Sequence, residues 1–253
     1  TALVCGASRG LGFAIAEALA REGCRVGLLA RNAAKLDAHV QALAAEGLDA
    51  VALPADMFDW PQLQMALRQF GSPDILVNNS GGPPPVTVTE VEPDLWRRQF
   101  EAMVLNQMRL TEAALPAMRE RKFGRILSVA STSIVEPFAS LAISNSLRAA
   151  LAGWMKTLAG QVARDGVTVN MLLPGSFATE RIDSLNAREA EARGGEPAAD
   201  LACDGEGGGP RPRGRAGGAE HPPPGPLAAV LVRPGRGGGR GGELDGPDLV
   251  RDR

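Results

Sequence analysis

Short apolar runs alternate with longer segments of helical periodicity through the first 190 residues, and this alternation limits the folds that the chain can adopt. Strands joined by helices run parallel, and right-handed crossovers place helices on both faces of the sheet. We therefore predict one α/β domain, a Rossmann-type doubly wound parallel sheet whose ligands bind beyond the carboxyl ends of its strands. The patterns predict strands at 2–5, 25–30, 49–53, 73–77, 125–130 and 167–172, and helices from Leu11 and at 32–46, 59–70, 94–119 and 140–164.

The composition of the chain changes near Ala190. Seventeen of the 31 glycines and nine of the 19 prolines follow that residue, and such a mixture lacks the apolar periodicity that offsets chain entropy. We expect a dinucleotide-binding domain over 1–190 and an irregular C-terminal segment over 191–253 that carries no function. The Gly-Pro-Arg run at 207–215 is typical of a GC-rich gene read out of frame, and the alternative is an ordinary disordered tail.

Charge and residue counts argue against several classes of protein. The formal net charge of -2 gives no field to attract nucleic acid or an anionic membrane. No run of 18 apolar residues and no apolar leader is found, so we expect no spanning helix and no signal peptide; we also expect a few residues to be missing before Thr1. Three separated cysteines suit a reducing cytoplasm, and two histidines predict no metal cluster.

A glycine-rich turn joins the first strand to the first helix. Glycines there let the backbone turn sharply and approach a pyrophosphate, which the helix N-terminus stabilises. The spacing is G-x-x-x-G-x-G and differs from the G-x-G-x-x-G dinucleotide fingerprint; the alternative is a turn that binds nothing. The predicted cofactor-binding residues of this turn are Gly6, Ser8, Arg9, Gly10, Leu11 and Gly12.

Two arginines indicate which nicotinamide cofactor the turn would bind. Arg9 lies in the turn, and Arg31 ends the second strand where an acidic residue would bind a free ribose 2′-hydroxyl. Arginine at that place suits a 2′-phosphate instead. The pair favours NADP(H) over NAD(H), unless both are simply solvated surface arginines.

Several further motifs stand in an order and spacing that resemble one family over residues 1 to about 185. The chain resembles the short-chain dehydrogenase/reductases, in particular their 3-oxoacyl-acyl carrier protein reductase-like branch. The residues that carry the resemblance are Gly6–Gly12, Asp56, Asn78-Asn-Ser-Gly81, Asn106, the strand from Gly124 to Ser131, and Pro174-Gly175.

The resemblance implies a role for each of these residues, a small carbonyl or alcohol substrate, and a homo-oligomer, either a dimer or a tetramer. It implies that Asp56 contacts adenine, that Asn78 and Gly81 line the adenosine side, that Pro174, Gly175 and Thr179 approach the nicotinamide, that Asn106 belongs to the proton-relay helix, and that Ser131 hydrogen-bonds the substrate carbonyl. Each has a structural alternative: Asp56 could cap a helix, Asn78 and Pro174-Gly175 could form turns, and Ser131 could simply end a strand.

The catalytic motif of the family is altered in this chain. The family places Tyr-x-x-x-Lys in the helix after Ser131, and the corresponding positions here are Ser144 and Arg148, in a chain with no tyrosine at all. A phenol can be tuned to exchange protons near neutral pH, whereas a serine hydroxyl is far less acidic. Arginine keeps its positive charge but cannot shuttle a proton. The alternative is that Ser144 merely lies near a helix start and Arg148 is solvated.

The sequence therefore supports two functions. The first is an NADP(H)-dependent oxidoreductase that transfers a hydride between nicotinamide and a carbonyl or alcohol, with an atypical proton-donor site at Asn106, Ser131, Ser144 and Arg148. The second is an NADP(H)-binding protein without turnover, which acts as a regulatory or interaction module. The fold alone cannot separate the two.

Overall fold

The computed structural model describes residues 1–174 and, beyond them, Ala187. Six parallel strands form one sheet in the order β3-β2-β1-β4-β5-β6, which is the doubly wound order expected for a dinucleotide-binding fold. The predicted fold class is thus confirmed. The segment 191–253, together with Gly175 and Thr179, lies outside the described residues. The strands are β1 (Ala2–Cys5), β2 (Val26–Ala30), β3 (Ala50–Pro54), β4 (Ile75–Asn78), β5 (Gly124–Val129) and β6 (Val167–Leu172).

The helices lie close to the predicted segments, and two of them begin at side chains that cap them. Asn32 accepts a hydrogen bond from the backbone N–H of Lys35, and Asp59 accepts one from that of Gln62. Each bond satisfies a donor that a helix start leaves unpaired. The helices are α1 (Gly10–Arg21), α2 (Ala33–Ala45), α3 (Trp60–Phe70), α4 (Pro93–Phe100), α5 (Asn106–Glu120) and α6 (Ala142–Val162).

The helix predicted at 94–119 is present, and it contains a π-helical turn that the periodicity did not predict. This turn, over Glu101–Leu105, joins α4 to α5 with helical backbone throughout, and Asn106 follows it directly. The wider turn accommodates a residue whose buried side chain bonds to the backbone of another segment. Turns of this kind interrupt the regular backbone ladder and occur often at functional sites.

Each face of the sheet carries its own apolar core. One core packs α1 and α2 against the sheet, and the other packs α3, α5 and α6 against the opposite face. The apolar residues of α6 are buried: Leu151, Met155, Leu158 and Val162 lie within the second core, and Leu147 packs in a smaller cluster with Met103, Val104 and Ile143. Both faces of β1 and β2 are consequently covered, as a parallel sheet requires. No helix among the described residues is long and apolar enough to cross a membrane.

Candidate functional site

The glycine turn follows β1 and opens α1 at the carboxyl edge of the sheet. Gly6 and Gly10 adopt φ values of +65° and +54°, which side chains rarely tolerate. A Cβ on Gly12 would overlap the carbonyl oxygen of Gly6, so the turn closes only with glycine there. The start of α1 at Arg9 has no side-chain cap, and its first turn contains no acidic residue. Its backbone N–H groups therefore suit an anion such as a pyrophosphate.

The fold places the arginine predicted to bind the 2′-phosphate next to the aspartate predicted to contact adenine. Nη1 of Arg31, which follows β2, lies 4.0 Å from Oδ2 of Asp56, which follows β3. Asp56 also accepts a hydrogen bond from the backbone N–H of Phe58, and Asp59 is the residue that caps α3. The helix-cap alternative for Asp56 is therefore wrong. The Arg31 side chain remains 72% exposed, so its guanidinium can reach a phosphate from solvent.

A buried polar network lies at the end of β4. Asn78 is the last residue of that strand, not a turn residue, and its Nδ2 donates to the hydroxyl of Thr111 over 3.0 Å. The Thr111 hydroxyl donates in turn to the carbonyl of Gln107. Oδ1 of Asn78 is buried and has no hydrogen-bond partner among the described residues. The predicted Gly81 follows in an exposed loop.

Asn106 is fully buried at the π-helical turn, and both ends of its amide are held. Nδ2 donates to the carbonyl of Met57 over 2.8 Å, and Oδ1 accepts a bond of 3.1 Å from Arg109. Arg109 also donates to Glu101 over 2.8 Å. The amide is thus fixed in one orientation, with its side chain engaged by the protein.

Ser131 lies two residues beyond the end of β5. Its Oγ accepts a hydrogen bond of 3.1 Å from the backbone N–H of Ser133 and so begins a short 3₁₀ turn over Thr132–Ile134. This bond does not use the hydroxyl hydrogen of Ser131, so the side chain can still donate to a substrate oxygen. The strand β5 ends at Val129, so Ser131 is not the strand end that the alternative supposed.

Ser144 and Arg148 form one hydrogen-bonded unit on α6. Nε of Arg148 donates to Oγ of Ser144 over 3.1 Å, and Nη1 donates to the carbonyl of Val129 over 2.7 Å. The second bond holds the guanidinium at the carboxyl end of β5, two residues from Ser131. The alternative of a solvated arginine is therefore wrong. Ser144 is 7% exposed, and its hydroxyl also accepts while keeping its own hydrogen for another partner.

The remaining predicted residues mark the edge of the described structure. Pro174 follows β6 at the carboxyl edge of the sheet, whereas Gly175 and Thr179 fall beyond the described residues. Cys5 lies fully buried at the end of β1, and burial raises the pKa of its thiol to about 12. This cysteine is therefore not a nucleophile. No group of three or more histidine, cysteine or acidic side chains that could hold a metal ion occurs within residues 1–174.

Comparisons with known proteins agree with this geometry. The model of the short chain dehydrogenase family matches residues 1–190. The chain belongs to the short-chain dehydrogenase/reductase family. Its relatives include the uncharacterized oxidoreductase YvaG of Bacillus subtilis, which is 32% identical over 205 residues, or 76% of this chain and 78% of that protein.

Two solved structures of short-chain dehydrogenase/reductases show the same similarity in three dimensions. L-sorbose reductase from Gluconobacter frateurii, complexed with NADPH and L-sorbose, superposes with a TM-score of 0.71 at 32% identity, covering 77% of this chain and 76% of that one. A 3-oxoacyl-[acyl-carrier protein] reductase from Brucella melitensis, with bound NAD, gives 0.68 at 29% identity and 75% coverage of both chains. The predicted resemblance to this family is thus confirmed.

Sequence reasoning missed three contacts that shape this short-chain dehydrogenase/reductase site. These are the Val129 carbonyl that receives Arg148, the Arg109 guanidinium that holds Asn106, and the ring of His39 against the glycine turn. The first involves a backbone oxygen, which carries no residue-specific signal. The contact of His39 joins segments 31 residues apart in the chain, and that of Arg109 joins two positions of one helix. Arg109 stands three residues after Asn106, a spacing from which the contact could have been suspected.

Proposed function

We propose that this protein is an NADP(H)-dependent oxidoreductase that transfers a hydride between nicotinamide and a small carbonyl or alcohol substrate. The carrying observation is the fixed guanidinium of Arg148, which bonds Ser144 and the Val129 carbonyl at the carboxyl edge of the sheet. The glycine turn lies at the same edge. One edge of the sheet thus carries both an anion-binding turn and a serine hydroxyl bonded to a guanidinium. This arrangement supports cofactor binding and reaction in one cleft.

The choice of NADP(H) rests on this chain's own arginines. Relatives have been solved with NADPH and with NAD, so family membership leaves the cofactor open. Arg9 lies in the turn and Arg31 follows β2, and both carry exposed positive charge on the adenosine side. A guanidinium matches a phosphate with two parallel hydrogen bonds, which supports selection of a 2′-phosphate. The Asp56 carboxylate near Arg31 would remain available to adenine.

The predicted cofactor residues divide between the phosphates, the adenosine and the nicotinamide. The turn residues would hold the pyrophosphate, with Asn78 and Gly81 beside the adenosine. We assign Pro174, Gly175 and Thr179 to the nicotinamide end on the family resemblance. When bound, the cofactor supplies or accepts the hydride. The protein orients the substrate and stabilises the charge that develops on its oxygen.

The described residues support stabilisation of an oxyanion more than proton donation by a tuned acid. The hydroxyls of Ser131 and Ser144 each accept one bond from the protein and each keep a hydrogen to donate. Arg148 adds a fixed positive charge beside Ser144. The negative charge created on a carbonyl oxygen by hydride addition would be shared among these donors. A water molecule near Asn106 or Ser144 itself would then return the proton, so we expect slow turnover of simple ketones.

A second candidate function is NADP(H) binding without turnover, as a regulatory or interaction module. The observation that favours it is Ser144, which stands where the family places its phenol in a chain without tyrosine. The cofactor-binding residues are retained around this altered position. Such a protein would bind NADPH as tightly as an enzyme but oxidise it only at the background rate.

One experiment separates the two functions. NADPH affinity is measured by fluorescence, and NADPH oxidation is then followed with a panel of ketones, keto acids and ketoacyl thioesters. The enzyme proposal expects turnover above background that falls about 10- to 100-fold in Arg148→Met, since a charge-assisted hydrogen bond is lost. Lys156→Met is the control, because Lys156 is an exposed cation on the same helix. Binding without turnover supports the second function, and absence of NADPH binding overturns both.

A further inference from the structure

His39 lies on α2 and contacts the glycine turn, although no step of the proposed reaction uses it. Its Nε2 is 3.1 Å from the carbonyl oxygen of Ser8. Its ring stacks on Phe13, with the ring centroids 3.7 Å apart and an interplanar angle of 17°. Ser8 precedes the start of α1, and Phe13 lies in its first turn. The imidazole therefore contacts the chain on both sides of Gly10 and Gly12.

The chemistry of the first contact fixes the hydrogen on the ring. A carbonyl oxygen only accepts hydrogen bonds, so Nε2 of His39 must carry the hydrogen that is shared with Ser8. This holds for the neutral ring and for the charged ring. The bond restrains the carbonyl of Ser8, which belongs to the peptide unit that leads to Arg9.

The turn between these contacts has a left-handed residue at its centre. Arg9 is extended, with φ of −172° and ψ of 170°, and Gly10 follows with a positive φ of 54°. The first helical bond, from the Phe13 N–H to the Arg9 carbonyl, is long at 3.4 Å. A turn closed by so long a bond gains from support by a neighbouring element. His39 supplies that support from α2, whose first residues follow Arg31.

We infer that His39 is a positioning residue that holds the Ser8–Gly12 turn in its anion-binding conformation before the cofactor arrives. A turn that is already ordered loses less conformational entropy when the ligand binds, which raises affinity without a direct contact. The inference rests on the proposed function, because it concerns NADP(H) binding at this turn. It gives α2 a role in binding the cofactor phosphates and no role in hydride or proton transfer.

The test compares NADPH affinities of three variants with that of the full-length parent chain. His39→Ala removes the bond and the stacked ring, and we expect NADPH to bind roughly fivefold to tenfold more weakly, the usual worth of one neutral hydrogen bond. His39→Gln keeps an N–H donor at a similar reach and should recover most of this loss. Gln41→Ala, at an exposed position of the same helix, is the matched control and should leave affinity unchanged.

Two fragments of the cofactor localise the effect. Adenosine 2′,5′-bisphosphate should lose affinity for His39→Ala as NADPH does, whereas nicotinamide riboside, which carries no phosphate, should not. Thermal unfolding of the apo variants identifies a merely structural role, which would lower the melting temperature and leave the dissociation constant alone at temperatures where all variants are folded. Unchanged NADPH affinity in His39→Ala, or a loss that His39→Gln does not recover, overturns the inference. Failure of the parent to bind NADPH would instead overturn the proposed function.

Discussion

The proposed cofactor region and the proposed catalytic region of this molecule share one edge of the sheet. They differ in how closely their residues match those of the family. The cofactor region, which is the Gly6–Gly12 turn with the ends of β2 and β3, keeps the residue types of a dinucleotide site. The proposed catalytic region, which comprises Asn106, Ser131, Ser144 and Arg148, has serine and arginine where the family places the two residues that carry proton chemistry. Binding depends on backbone shape and charge, whereas proton transfer depends on one tuned acid. A protein can therefore lose the second and keep the first.

The contacts within the two regions reinforce this difference. The turn is shaped by glycines whose replacement would collide with neighbouring atoms. In the catalytic region, Ser144 and Arg148 are bonded to each other and to the backbone of β5. The altered pair thus forms an ordered arrangement. It presents hydrogen-bond donors and a fixed charge, where the family presents a phenol and an amine.

The largest expected effect comes from restoring the family pair. The double variant Ser144→Tyr with Arg148→Lys should raise the rate of ketone reduction about 10²- to 10⁴-fold, the usual contribution of a general acid. Steady-state kinetics with NADPH measures the change. Ser144→Tyr alone should help less, because lysine lowers the phenol pKa. Ser146→Tyr, at an exposed position two residues away, is the control and should leave the rate unchanged. A double variant that binds NADPH but is no faster than the parent would show that Ser144 does not occupy the phenol position.

A substitution in the glycine turn should weaken NADPH binding whichever residues occupy positions 144 and 148. Gly12→Ala places a Cβ against the Gly6 carbonyl, so we expect NADPH affinity to fall about 10- to 100-fold, in line with the cost of overpacking. Titration by fluorescence measures it, and circular dichroism checks that the variant is folded. Gly153→Ala has open space on α6 and should bind NADPH normally. Normal binding by folded Gly12→Ala would remove the turn from the cofactor site.

Cofactor preference should respond to Arg31. Arg31→Asp replaces a favourable charge with a repulsive one, so the preference for NADPH over NADH should fall about tenfold. Calorimetric titration with both cofactors reports the ratio of dissociation constants. Arg97→Asp alters a similarly exposed arginine on α4 and serves as the control. If NADH already binds the parent as tightly as NADPH, the assignment of the 2′-phosphate to Arg9 and Arg31 is incorrect.

The smallest expected effect concerns the scaffold alone. Asn32→Ala removes the cap of α2 and should lower the free energy of unfolding by about 1 kcal/mol. The melting temperature should then fall by about 2–4 °C. NADPH affinity should stay within twofold, because the Asn32 side chain bonds the backbone of Lys35. Thermal unfolding and a cofactor titration on the same sample measure both quantities, and a large loss of affinity would show that the α2 start belongs to the cofactor region.

The sequence by itself determined the fold class and the strand positions to within two residues, and it predicted where the cofactor region lies. Apolar runs, helical periodicity and turn glycines are local signals, and a parallel sheet leaves few ways to connect such elements. The predicted strand at 167–172 coincides with β6, and the predicted cap at Asn32 begins α2. The sequence also predicts that Ser144 and Arg148 replace the family's catalytic pair, because that prediction needs only residue types at a fixed spacing.

Only the tertiary structure decided what the altered residues contact. Arg148 reaches the backbone of β5, 19 residues away in the chain, and Asn106 reaches Met57, 49 residues away. The π-helical turn before Asn106 and the imidazole of His39 against Ser8 also escaped the sequence patterns. Backbone carbonyls accept these bonds, and every residue has one. Their availability depends on where the strands and helices end in space, which no pattern of residue types records.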